Sequence, residues 1–150
     1  TFMYFIKLLF LFSLICIPST YASWIKEAEL FSPRWRWEGD SSSILIKKRS
    51  SLKEGVLDLD QFVMEIYETK KADLALFNIS DWKMLKKEKV KVSLHNMLLT
   101  SGSYLSQKKE MIYWSEVFYQ TKDNLIQCLV SSSQELTTDQ INKGIQICQE

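Results

Sequence analysis

One histidine, two prolines and four glycines are all that these 150 residues hold of three residue types that carry much of site chemistry and chain reversal. With His95 alone, any Ser-His-Asp or Cys-His arrangement would have to use that side chain. A tetrahedral zinc site would lack nitrogen and sulfur ligands. The glycines, at 39, 55, 102 and 144, form no phosphate-binding loop. An excess of either charge is also missing, with Lys and Arg totalling 19 and Asp and Glu 18. Such a balance argues against a dedicated nucleic-acid binder, which normally carries a basic surplus. The chain therefore offers no cofactor site and no metal site, and function is expected to reside in binding.

What is present begins with a leader. Lys7 is the only charge before "LLFLFSLICI", an apolar run of about ten residues, too short to span a bilayer as a helix. Pro18 breaks the run, and Thr20 and Ala22 stand at the spacing that signal peptidase reads. Residues 1–22 are thus expected to be a secretory signal peptide, and 23–150 a single domain. Ile15 stands where a lipobox wants a small residue, which weighs against lipidation at Cys16. Without Lys7, eighteen basic residues face eighteen acidic ones. No second apolar run of membrane-spanning length follows, so the expected mature chain is soluble, in the periplasm or secreted. Its two remaining cysteines, Cys128 and Cys148, read first as a disulfide in an oxidising compartment. The rival readings, a free pair or a redox dithiol, have no CxxC spacing behind them. Closing a loop of about 20 residues stabilises a fold by roughly 3 kcal/mol in the chain-entropy model.

Periodicity then divides the domain. "RWRWE" (34–38) alternates with period two, "GDSSS" has turn chemistry, and "SILIKKR" (43–49) is a second β run, together a hairpin. Its tryptophans, Trp35 and Trp37, are expected on the apolar face under a helix and its arginines in solvent. An exposed aromatic platform is the alternative. Membrane contact is disfavoured by the adjacent Glu38 and Asp40. Leu59, Phe62, Val63 and Ile66 fall on one helical stripe, predicting an amphipathic helix over about 59–72 that starts with an Asp58/Gln61 capping box. Four further β runs, through "KVKVSL", "NMLLTSGSYLS", "EMIYWSEVFYQ" and "LIQCLVSS", read as an antiparallel meander. The last two are apolar on both faces, as strands at the centre of a doubly covered sheet must be. A closing helix follows, with Thr137 as N-cap, Gln140 completing the capping box and Leu136 able to staple onto Ile141. Its stripe Ile141, Ile145, Cys148 would place Cys148 against Cys128, which shares a strand face with Ile126 and Val130.

The order β-β-α-β-β-β-β-α in one exported domain, with Pro33 and Trp35 opening the first strand, resembles the PsbP-like fold. That family includes the extrinsic photosystem II subunit, the yeast Ran-release factor and DcrB-type bacterial envelope proteins. The likeness spans about Phe31 to Cys148 and rests on element order rather than a diagnostic motif. It implies an α+β domain, an α/β/α sandwich with a central antiparallel sheet. It further implies protein binding or assembly, in a cell-envelope complex, rather than catalysis; no family site residue carries over.

Several candidate features remain. Lys87, Lys89 and Lys91 share one strand face, either to block edge pairing or to meet an acidic partner. Trp35 and Trp37 would join them as partner-binding residues wherever they are uncovered. Glu116 interrupts "YWSEVFY" and is expected to pair with a cross-strand lysine at the sheet's rim, with a buried acid as the rival. His95, in "SLHNM", reads as a solvent-facing turn residue; the alternative is a small exported hydrolase using it with a nearby serine and acid. Asp58 and Asp60 look like helix-start residues rather than a catalytic pair. The sequon at 78–80 matters only in a eukaryotic host.

Overall fold

The computed structural model describes residues 22–27, 32–51, 58–92 and 95–150. The expected leader thus lies outside the described residues apart from Ala22, as do Ser93 and Leu94. The meander forms as expected: β4 (Ser80–Val92), β5 (His95–Leu105), β6 (Met111–Gln120) and β7 (Asn124–Ser132) pair in succession, all antiparallel. On the far side of β7 lies β3 (Asp40–Ser51), then β2 (Arg34–Trp37) and β1 (Trp24–Glu27). The seven strands stand in the order β1-β2-β3-β7-β6-β5-β4, which puts β7 at the centre and β4 at one edge.

Two departures from expectation lie in the first hairpin. The turn closes at Glu38–Gly39, because Gly39 takes φ +82°, a conformation open to glycine. The serines therefore belong to β3 and not to the turn. The strand β1 also precedes the hairpin, pairing Trp24 with Trp37 and Glu27 with Arg34. Four residues are too few to show a period. Of the hairpin arginines, Arg36 is exposed as expected and Arg34 half-buried, and both also hold β1: the Glu27 carboxylate meets Arg34 Nε at 3.3 Å and also bonds Arg36.

Helix α1 (Leu59–Leu76) runs four residues beyond the expected end. Asp58 caps it by accepting from the Asp60 amide, whereas Gln61 turns to Glu65, so the anticipated capping box does not form. Helix α2 (Thr138–Gln149) does begin with the full Thr137/Gln140 box.

The helices occupy opposite faces of the sheet, and strand alternation shows it. Val63 of α1, flanked by Leu59 and Ile66, packs on Leu98 and Phe118. Their sequence neighbours Met97 and Val117 point the other way, into a cluster with Ile126, Cys128, Ile145 and Cys148 under α2. This is an α+β, three-layer sandwich on an antiparallel sheet, and each fully buried aliphatic contributes about 1.5–3 kcal/mol to it. The disulfide Cys128–Cys148 joins β7 to α2 with Cα atoms 5.9 Å apart, inside this second cluster. Tyr119 Oη donates to the Cys148 carbonyl (2.7 Å) and Trp24 Nε1 to that of Gln140 (3.1 Å), anchoring both ends of α2. On the α1 face Trp82 stacks on Trp114 at 4.6 Å, with planes 2° apart. Gly102 permits that approach, since a Cβ there would lie 1.9 Å from the Lys83 carbonyl oxygen and 2.6 Å from the Trp114 ring.

Candidate functional site

The lysine strip sits where the alternation predicts. Register pairs Lys87 with Thr100, Lys89 with Leu98 and Lys91 with Asn96, so all three project to the α1 face of edge strand β4. Their roles differ. Lys87 Nζ bonds the Asp60 carboxylate at 2.5 Å, tying β4 to the first turn of α1. That hydrogen bond, helped by the charges of Lys87 and Lys89, holds the Asp60 carboxyl below its usual range. Lys89 and Lys91 are exposed and make no ion pair among the described residues.

Trp35 and Trp37 belong to the opposite end of the molecule. β2 is next to the other edge of the sheet, and both rings face α2, packing beside Trp24, Leu45 and Val130. Trp37 meets Trp24 edge-on at 5.1 Å, and Lys143 Nζ lies 5.6 Å from the Trp37 ring centroid. Lysine strip and tryptophans therefore form no common patch. Both tryptophans are half-buried, between the covered strand and the exposed platform.

Glu116 is buried rather than at the rim, and its lysine comes from the helix above instead of a neighbouring strand. Its side chain is 4% exposed, Lys70 Nζ of α1 lies 2.9 Å from Oε1, and Gln127 Nε2 donates to Oε2 at 2.5 Å. Lys70 Nζ also lies 4.9 Å from the Trp82 ring centroid, so one ammonium spans the carboxylate and the aromatic stack. The sequence offered no pairing signal, because the contact depends on how α1 crosses β6.

His95 opens β5 and is half-buried, against the solvent-facing turn expected of it. Its ring tilts against Tyr119 at 4.9 Å, and its buried Nδ1 has no hydrogen-bond partner. A hydrolytic triad needs an acid on that nitrogen, and none of the described residues supplies it. No group of three His, Cys, Asp or Glu side chains suited to a metal ion occurs among the described residues.

One concave feature escaped the sequence. A cleft of about 620 Å³ opens beside Trp35, between the start of the sheet and the end of α2. Lys26 of β1 is opposite Trp35 in the β1–β2 register, Leu45 of β3 is opposite it on the other side, and Lys47 and Arg49 continue that β3 face. Ile147 and Glu150 complete the far wall. Burial above all pulls the Lys47 pKa below its usual value, Arg49 and Lys26 add to the effect, and Glu150 opposes it. The available signal was the pattern Leu45, Lys47, Arg49, in which cations continue an inward-facing row.

Compared with known proteins, the chain matches no family model and no curated sequence.

Proposed function

We propose that the protein is an exported, non-enzymatic binding or assembly factor, an accessory of a bacterial cell-envelope complex. Its partner contact is the edge strand β4, and the partner surface is acidic. The observation that carries this reading is the pair Lys89 and Lys91, exposed on a 13-residue edge strand and without an ion pair among the described residues, the Asp60 carboxylate acting on Lys89 only from beyond 4.0 Å. Lysines on an edge also discourage indiscriminate strand pairing, which suits a surface that engages one charged partner. Three further points support the reading. The Cys128–Cys148 disulfide is consistent with export. No described helix is long and apolar enough to cross a membrane. The element order resembles that of the PsbP-like proteins, in which binding and assembly prevail over catalysis.

The test is affinity capture from the native envelope with the double variant Lys89→Glu/Lys91→Glu. Lys87 is left in place because it holds Asp60. Partner recovery should fall by about tenfold or more, and recovery by the unaltered chain should weaken as salt rises. Undiminished recovery by a folded double variant would show the strip to be a solvated face and remove the proposal.

A further inference from the structure

We infer that the cleft beside Trp35 binds a single amphipathic anion, an acyl or aryl body with a carboxylate or phosphate head. The site is independent of β4, being on the other face of the sheet and towards its other edge.

The charge pattern comes first. Lys70, Lys83, Lys86, Lys87 and Lys143 each hold a carboxylate within 4.0 Å. Lys26, Lys47 and Arg49 hold none among the described residues, although they line one concavity. Glu150 and the carbonyl end of α2 offset part of that charge and leave cations in excess. Lys47 is also partly desolvated and flanked by like charges. An unpaired cation so placed is unfavourable in the free protein, and an incoming anion relieves it.

The apolar half of the site is equally defined. Trp35 offers a ring with Lys26 Nζ 5.8 Å from its centroid, and Ile147 faces the same space. Both also pack against the Trp24, Leu45 and Val130 cluster, so they are fixed by the core rather than by the ligand. A ligand lying on Trp35 with its head at Lys47 and Arg49 satisfies both halves. The volume lies within the range of about 300–1,000 Å³ typical of small-molecule sites. The recessed, half-buried setting of Trp35 favours one enclosed molecule over a membrane surface, which a projecting tryptophan would meet better.

The experiment titrates the folded chain, disulfide intact, with dodecanoate, dodecyl phosphate and 1-naphthyl phosphate below any micelle-forming concentration, followed by calorimetry and tryptophan fluorescence. At least one should bind saturably at one per chain, and dodecanol and dodecylammonium should bind at least about tenfold more weakly. Lys47→Met/Arg49→Gln and, separately, Trp35→Leu should each weaken binding by about tenfold or more. Arg49→Gln alone, at an exposed position, keeps the test decisive if the double variant does not fold; it should still weaken binding measurably. Four results would overturn the inference: no binding by any of the three anions, binding unaffected by the folded variants, inorganic phosphate binding as tightly as the amphiphiles, or attachment only to phosphatidylglycerol vesicles.

Discussion

At Asp40 one carboxylate organises the start of β3. It accepts from the Ser42 amide (3.0 Å), from Ser42 Oγ (2.7 Å) and from Ser43 Oγ. Ser43 Oγ in turn lies 2.8 Å from Ser132 Oγ and receives Gln140 Nε2 at 3.2 Å, so the network reaches β7 and α2. The Ser43 hydrogen bond above all holds the Asp40 carboxyl below its usual value near 3.8, against a smaller opposing effect of burial. A carboxyl whose folded-state pKa is depressed contributes stability above its unfolded value and loses it as pH falls through the folded one. Asp40→Asn keeps an acceptor but removes the charge. It should cost up to about 1 kcal/mol near neutral pH, since the group lies close to the surface. Urea unfolding of both proteins should show that difference at pH 6 and its progressive loss as the pH falls below the ordinary carboxyl value of 3.8. A difference independent of pH would mean that the charge contributes nothing.

Among the elements, α1 and α2 are secured in contrasting ways. Only one α1 residue, Val63, is fully buried, and the helix leans on the Lys70–Glu116 pair. Lys70→Met leaves Glu116 buried with Gln127 as its remaining partner, and should destabilise the fold by about 3 kcal/mol. Lys70→Met/Glu116→Gln removes both charges and should recover most of that loss in thermal melts; strict additivity would show that the pair is not coupled. In α2 the disulfide takes the place of charge. Without reductant, the unfolded native protein should yield no reactive thiol at Cys128 or Cys148. Cys128→Ala/Cys148→Ala should lose about 3 kcal/mol, with amide exchange rising first along α2, because isolated helices of that length are marginal. The capping box and buried stripe of α2 were legible in the sequence because caps and helical periods are local patterns. The meander was legible for the same reason. Strand β1 was not, and neither was the partner of Glu116. The first is too short for a period, and the second is set by the path of a helix over a sheet, which no local spacing encodes. The row Leu45, Lys47, Arg49 was a local signal, but Lys26 and Trp35 join it only when β1 and β3 flank β2.

Over the whole molecule, the sheet order separates the lysine strip from the tryptophans, which the sequence alone grouped as one set of partner-binding residues. Lys89 and Lys91 stand on the edge strand β4, on the α1 face. Trp35, Lys47 and Arg49 stand near the other edge, on the α2 face. Between them lie the core strands β7, β6 and β5, and exposed charges separated by more than about one Debye length, roughly 8 Å at physiological salt, are largely screened from each other. Perturbations at the two sites should therefore add without coupling. Lys89→Glu/Lys91→Glu should leave the dissociation constant for dodecanoate within about twofold of its original value, and Arg49→Gln should leave envelope-partner capture unchanged. The quadruple comparison is made by measuring both readouts on the two variants and on their combination at fixed salt. Agreement with simple addition fits two surfaces on a rigid sheet. A change in capture on adding dodecanoate would show instead that the sheet or the α2 layer transmits occupancy of the cleft to β4. In that case the reciprocal effect, an altered dodecanoate affinity in the presence of the partner, must appear by the same factor.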